Sequence, residues 1–121
     1  MAKSVNQKLK VFYLRKILLE NTDKEHFMTM NEIIDALNNM GIKAERKSIY
    51  NDIDLLRDMG LDIVNQKRLG YAVVKKDFDL SEVEMLIKAL DNYDVVDIKR
   101  QEIKEKLKSF LSKYEVHGIL D

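Results

Sequence analysis

The sequence predicts a mainly α-helical protein with one small β-hairpin, arranged as a winged helix-turn-helix followed by a two-helix C-terminal arm. Three observations predict this fold class. Apolar residues recur at helical spacing up to about residue 59, two short β-branched runs follow between residues 61 and 74, and helical spacing returns from about residue 81. We therefore expect a winged helix-turn-helix domain at 1–78 and a helical arm at 79–121.

Length and composition set the first limits. A chain of 121 residues, 45% hydrophobic and 35% charged, is long enough for one modest core. It contains no Cys, which excludes disulfides, a zinc-thiolate site and a nucleophilic thiol. No apolar run approaches the roughly 20 residues that span a bilayer, and the start MAKSVNQKLK lacks the apolar segment of a signal peptide. We expect a cytoplasmic protein with no membrane contact.

Charge is balanced overall but unevenly distributed. Residues 1–75 hold 13 Lys and Arg against 10 Asp and Glu, whereas residues 76–121 hold 8 against 11. This asymmetry suits a basic contact module joined to an acidic part that stays away from phosphate. Solvated helix faces without any partner would give the same count.

The first helix is predicted at about residues 4–20. Its apolar residues lie on several sides, with Leu9, Tyr13 and Ile17 on one line and Phe12 and Leu19 on another. Such a helix needs partners on two sides, which we expect to be the following helices and either the C-terminal region or a second subunit. Residues 21–26 have the composition of a polar loop.

Two further helices complete the helix-turn-helix. Thr29 and Glu32 have the spacing of a capping box, so the second helix should begin there, and Gly41 supplies its end. The third helix is predicted at 44–59. Its core side carries Ile49, Ile53 and Leu56, and its opposite side is polar.

A hairpin follows the third helix. Residues 61–65 and 71–74 are rich in β-branched side chains, and the basic loop 66–70 joins them. This hairpin would be the wing, placed to reach a second phosphate backbone or the minor groove. Residues 27–28 are expected to add a short strand at its edge.

The arm is predicted as two amphipathic helices. Ser81 and Glu84 have capping-box spacing for the first, and the second is expected from about Asp97 to Tyr114. Their apolar sides either fold back on the first helix within one chain or form a dimer. We favour a homodimer through the C-terminal helices and helix 1, because helix 1 has more apolar surface than a monomeric core uses.

The run TMNEIIDALNNMGIKAERKSIYNDIDLLRDMGLDIV, then GYAVV and FDLSEVEMLIKAL, resembles the N-terminal part of bacterial WYL-domain transcriptional regulators. The resemblance covers roughly residues 5–114 and is most specific at SIYNDIDLL and Gly70-Tyr71. It implies a DeoR-like winged helix-turn-helix followed by a helical segment. Ser48 stands where the family has Thr, and Asn51 where it has Arg. The C-terminal WYL domain thought to sense ligands has no room before Asp121, so the chain is expected to be a fragment or a compact stand-alone relative.

The candidate DNA contacts lie at the start of the third helix and in the wing. Lys47 and Arg46 suit guanine or phosphate, and Asn51 suits an adenine edge. Ser48 and Tyr50 can donate to phosphate oxygens, while Asp54 and Asp58 should tilt the end of the helix away from the backbone. The full set is Arg46, Lys47, Ser48, Tyr50, Asn51, Lys67 and Arg68. Lys3, Lys8 and Lys10 are further candidates for phosphate contact.

Nothing in the sequence points to catalysis, a metal or a cofactor. The two histidines, His26 and His117, are expected at the surface, and the four glycines are isolated rather than grouped in a phosphate-binding loop. We therefore expect a sequence-specific double-stranded DNA-binding transcriptional regulator and not an enzyme. The alternative is a winged-helix protein-interaction module, or an inhibitor of a nucleic-acid enzyme, without DNA binding of its own.

Overall fold

The structure is a computed structural model that describes residues 5–119, with side chains from residue 9 onward. Within these residues eight elements follow one another: α1 (Val5–Asn21), α2 (Met30–Asn39), α3 (Arg46–Asp58), β1 (Asp62–Gln66), β2 (Gly70–Lys75), α4 (Leu80–Asp91), α5 (Asp97–Lys108) and α6 (Lys113–His117). The predicted fold class, mainly α-helical with a small antiparallel hairpin, is confirmed.

The larger core joins the first three helices to the hairpin. Its side chains come from positions three and four apart on each helix, so each helix contributes one stripe. The predicted stripe of α3, Ile49, Ile53 and Leu56, is at most 2% exposed. The full buried set is Leu14, Ile17, Leu18, Met30, Ile33, Leu37, Ile42, Ile49, Ile53, Leu56, Ile63, Tyr71 and Val73. Burial of this stripe turns the opposite side of α3 outward.

The ends of α2 and α3 follow largely from local sequence. Thr29 and Glu32 form the predicted capping box before α2, and Gly41, with φ 81°, follows that helix. Helix α3 is slightly shorter than the predicted 44–59, since it begins at Arg46 and ends at Asp58. Leu61 N donates to Leu56 O (3.0 Å) just beyond α3, so the chain turns directly into the hairpin.

The hairpin is held to the helices by a backbone bridge. Met28 N donates to Tyr71 O (2.9 Å), and Tyr71 N donates to Met28 O (2.7 Å). The short strand predicted at 27–28 is thus a single bridge at Met28. A Cβ on Gly70 would lie 2.0 Å from the Met28 carbonyl oxygen, and Gly70 has φ 104°. Only glycine allows this close approach.

Two predictions for the arm are wrong. The capping box of α4 is formed by Asp79 and Glu82, two residues before the predicted pair Ser81 and Glu84. The helix predicted from Asp97 to Tyr114 ends at Lys108, and α6 begins at Lys113 behind a separate Ser112–Glu115 capping box. Apolar residues recur across the break between α5 and α6, because Leu107, Leu111 and Val116 all join one cluster around Val83 and Ile87.

Arg100 and Lys104 fix α5 against α4. The Arg100 guanidinium donates to three carbonyls at the end of α4 and in the following loop, those of Leu90 (3.3 Å), Tyr93 (2.9 Å) and Val95 (3.0 Å). Lys104, which is 6% exposed, pairs with Asp91 at 2.6 Å. These contacts join α5 to the C-terminus of α4 and to the loop that follows it.

The predicted polar loop after α1 is partly wrong. Asn21 is the last residue of α1, and Thr22 and Asp23 are buried rather than solvated. The Thr22 hydroxyl accepts from Val73 N (2.9 Å), and the Ser112 hydroxyl donates to Asp23. Asp23 thereby connects the start of α6 to the end of α1. At this end, the arm folds back on the first helix within one chain.

Candidate nucleic-acid interface

The outward side of α3 carries most of the predicted contact residues. Arg46, Lys47 and Asn51 are exposed, Tyr50 is 46% exposed, and Ser48 is half-buried. One guanidinium nitrogen of Arg46 donates to Asn31 Oδ1 on α2. This tether was not predicted, and it orients Arg46 while other N–H groups of its guanidinium remain to bind a partner.

The beginning of α3 is electrostatically suited to an anion. Glu45, the residue before the helix, makes no side-chain hydrogen bond to the amides of the first turn. Those amides carry the positive end of the helix dipole, and Arg46 and Lys47 lie beside them. A phosphate at this position would therefore meet backbone N–H groups and two cationic side chains.

The hairpin turn, residues 66–70, presents the other two predicted residues. Lys67 and Arg68 are exposed, and Leu69 N donates to Gln66 O across the turn (3.1 Å). Arg68 has φ 76°, and it is the only residue other than glycine with positive φ in the part of the chain that the structure describes. Turns place Gly or Asn at such positions, because a Cβ there clashes with the backbone.

One polar link joins α3 to the hairpin. Arg57 Nε donates to Ile63 O on β1 (3.0 Å), and its Nη1 donates to Asp54 Oδ1 (3.2 Å). Tyr50 neighbours Tyr71 on β2. Burial raises the pKa of Tyr71, and the neighbouring Tyr50 adds to this effect. The Asp54–Arg57 pair has the i,i+3 spacing that sequence alone could have flagged.

The local charge is nearly balanced. Residues 43–70 contain six basic and five acidic residues. Two of these acids are engaged, since Asp52 pairs with Lys10 and Asp54 with Arg57. The positive charge of Arg57 lies beside Asp54 and partly offsets the repulsion that Asp54 would exert on phosphate.

Lys10 is not available for phosphate contact. It is 5% exposed, and its ammonium group pairs with Asp52 of α3. This prediction is wrong because Asp52, which is distant from Lys10 in the sequence, pairs with it in the folded chain. Lys3 lies outside the described residues, and the side chain of Lys8 is not described either.

A second concave region lies between the hairpin and the arm. This cleft of about 490 Å³ is lined by His26, Lys76 and Tyr114, among others. His26 was expected to be an ordinary surface histidine, but its ring stacks on Tyr114 (centroids 3.8 Å apart) and Nδ1 donates to Asp23 (2.8 Å). Lys76 donates to the carbonyls of Leu19 (3.0 Å) and Thr22 (2.6 Å). These polar groups hold the arm in place.

The surroundings of Asp23 and Lys76 in this cleft shift their pKa values. Burial raises the pKa of Asp23, but hydrogen bonds from Ser112, His26 and the Glu25 amide outweigh it, so the net pKa lies below the ordinary value. Burial lowers the pKa of Lys76, against the opposing effect of Glu115 and Asp23. His117 is exposed, as expected.

Comparison with models of known protein families, with curated proteins and with solved structures found no match. The resemblance to WYL-domain regulators therefore stays a prediction. Within residues 5–119, no group of three or more His, Asp or Glu side chains is placed to hold a metal ion.

Proposed function

We propose that the protein is a sequence-specific double-stranded DNA-binding transcriptional regulator of the winged helix-turn-helix class, with α3 as recognition helix and the hairpin turn as wing. The observation that carries this proposal is the two-sided character of α3. Its apolar stripe is buried, and Arg46, Lys47 and Asn51 on its first two turns are exposed. In helix-turn-helix proteins, the recognition helix inserts its N-terminal residues into the major groove.

The contact residues divide into two kinds. Lys47, Lys67 and Arg68 would bind phosphates and give affinity without sequence preference, and Arg46 would bind phosphate or guanine. Asn51 would read adenine through paired hydrogen bonds. Ser48 and Tyr50 would donate to phosphate oxygens at the edge of the groove. Nothing in this arrangement calls for a cofactor or a catalytic step.

Selection of bound sequences from a random duplex pool, followed by salt titration, tests the proposal. Lys47→Ala and Arg68→Ala should weaken binding to all duplexes and each lower the salt slope by about 1. Asn51→Ala should change the selected sequence instead. Lys99→Ala is the matched control, because it removes a lysine from the arm and should leave the slope unchanged. Absence of salt-dependent affinity for any duplex would refute DNA binding.

A homodimer would place two recognition helices on one operator. Support comes from exposed apolar side chains on the arm, where Tyr93, Val96 and Ile98 are 68%, 73% and 78% exposed, and from Phe12 of α1 at 58%. Exposed apolar side chains favour association where they form one patch. A palindromic selected site and a dimer in equilibrium sedimentation would support the assembly, and a monomer at tens of micromolar would refute it.

The alternative function is a protein-interaction module, including an inhibitor of a nucleic-acid enzyme. Two observations favour it: the near balance of charge over residues 43–70, and the exposure of Leu55 on α3 (46%) and of Met59 directly after that helix (70%). Binding of a partner protein that is lost in Met59→Asp, in a chain that binds no duplex, would support this alternative.

In the stretch from residue 5 to residue 119, no helix is long and apolar enough to cross a bilayer.

A further inference from the structure

Three residues of α3 lie along the side of the helix that faces the hairpin. Tyr50, Asp54 and Arg57 are spaced i, i+4 and i+7, so their side chains follow one line along the helix. This line runs between the buried stripe and the exposed positions Lys47 and Asn51. It therefore borders both the packed hairpin and the proposed DNA-contacting side.

Arg57 links the end of this line to the first strand. Its Nε–H donates to the carbonyl of Ile63, and its Nη1 donates to Asp54. The planar guanidinium directs these donors at fixed angles, so Asp54 determines the plane in which Arg57 approaches the strand. The Arg57 side chain is 38% exposed and that of Asp54 is 72% exposed, which leaves the pair at the surface beside the proposed interface.

Tyr50 lies at the beginning of this line and neighbours Tyr71 of the second strand. Tyr71 is 7% exposed and is held by the backbone bridge to Met28. The hydrogen-bonded link between α3 and the hairpin is the one from Arg57 to Ile63.

We infer that Asp54 and Arg57 are positioning residues that set the hairpin turn at a fixed place relative to the recognition helix. Asp54 then acts by orienting Arg57 and not as a charge that repels DNA. A recognition helix and a wing contact one site together only if their separation matches the spacing of the phosphates and base edges. The inference rests on the proposed function, because the separation matters for a duplex.

Asp54→Asn distinguishes the two roles of Asp54 by the sign of its effect. If Asp54 only repels phosphate, its neutralisation tightens binding to every duplex and steepens the salt dependence. If it positions Arg57, affinity for the selected operator falls, and the ratio of operator to random-duplex affinity drops by about fivefold. Asp58→Asn is the matched control, since it removes an exposed acid of the same helix outside the links. It should tighten binding to operator and random duplex alike.

Arg57→Lys tests the geometry while it keeps the charge. We expect an unchanged salt slope and an unchanged melting temperature, within about 2 °C, together with the same fall in the operator-to-random ratio. The double variant Asp54→Asn/Arg57→Lys should lose little more than either single variant, because both changes break one link. If Asp54→Asn behaves like Asp58→Asn, or if the double variant loses the product of the two single effects, the inference is overturned.

A measurement without DNA separates this inference from the proposed function. Amide hydrogen exchange in the hairpin should be faster in Arg57→Lys than in wild type, with exchange in α1 unchanged. If the wild type binds no duplex and hairpin exchange is faster in the variant, the proposed function fails while the link between α3 and the hairpin stands. Unchanged hairpin exchange overturns the link itself.

Discussion

Arg68 combines a strained backbone with an exposed positive charge, and substitution with glycine separates the two. With φ 76°, an L-residue at this position is destabilised by roughly 1–2 kcal/mol, and glycine removes this strain. Glycine also increases the entropy of the unfolded chain, which costs about 0.5–1 kcal/mol. We therefore expect Arg68→Gly to leave the free energy of unfolding equal to that of wild type or raise it by about 1 kcal/mol.

Lys67→Gly is the matched control for this substitution. Lys67 is the adjacent exposed cation of the same turn, and its φ is not positive. Both variants lose one positive charge and both gain the glycine entropy cost, so the difference in their unfolding free energies isolates the backbone strain at Arg68. That difference should be about 1–2 kcal/mol, or roughly 5–10 °C in melting temperature.

Urea unfolding at pH 7 measures the stability difference, and salt titration of duplex affinity measures the charge effect. Each variant should lower the salt slope by about 0.9 if both side chains contact phosphate. Arg68→Gly would then be at least as stable as wild type and a weaker DNA binder. Equal destabilisation by the two variants would refute the strain argument, and unchanged salt slopes in both would refute DNA contact by the turn.

Other variants test the packing around the hairpin and the arm. Gly70→Ala should destabilise the fold by about 3 kcal/mol more than Gly60→Ala in urea unfolding. Both glycines have φ 104°, but only Gly70 closely approaches Met28. Equal losses of unfolding free energy in the two variants would contradict the role of this approach. Ser112→Ala should cost about 1–3 kcal/mol at pH 7, because it removes both a donor to the buried Asp23 carboxylate and the N-cap of α6. The pKa of Asp23 is lowered in the fold, so its contribution is present above the ordinary value of 3.8 and is lost as pH falls through the lower folded pKa. The cost of Ser112→Ala should therefore shrink when unfolding is measured at pH 2–3, and an equal cost at both pH values would contradict the role of Asp23 ionisation.

Local sequence patterns predicted the start of a helix best where one capping pair lay directly before the apolar run. Thr29 and Glu32 lie directly before the apolar residues of α2, and the predicted capping box is present. Before α4 the chain offers both Asp79 with Glu82 and Ser81 with Glu84, so spacing alone could not choose between them. The pair that is used lies after Phe78, whose side chain packs into the arm cluster.

Long-range polar contacts limited the prediction of the site. The burial of Lys10 depends on Asp52, and the burial of Asp23 depends on Ser112, 89 residues away. No periodicity or cap connects such residues in the sequence. The outward side of α3 was predictable because a helix that buries Ile49 and Ile53 must expose Lys47 and Asn51. The link from Arg57 to the hairpin could be seen only in the folded chain.

Lys76 has a mechanical consequence for any assembly that the arm forms. Its ammonium group holds two carbonyls at the end of α1 and lies 3.9 Å from Glu115 of α6, with 6% of its side chain exposed. Rotation of the arm away from the hairpin would separate this buried ammonium group from the Glu115 carboxylate and leave it with the two carbonyls, which is costly. A dimer joined through its arms would therefore hold its two recognition helices at a fixed distance. Insertion of a few base pairs between the two halves of an operator should then abolish cooperative binding.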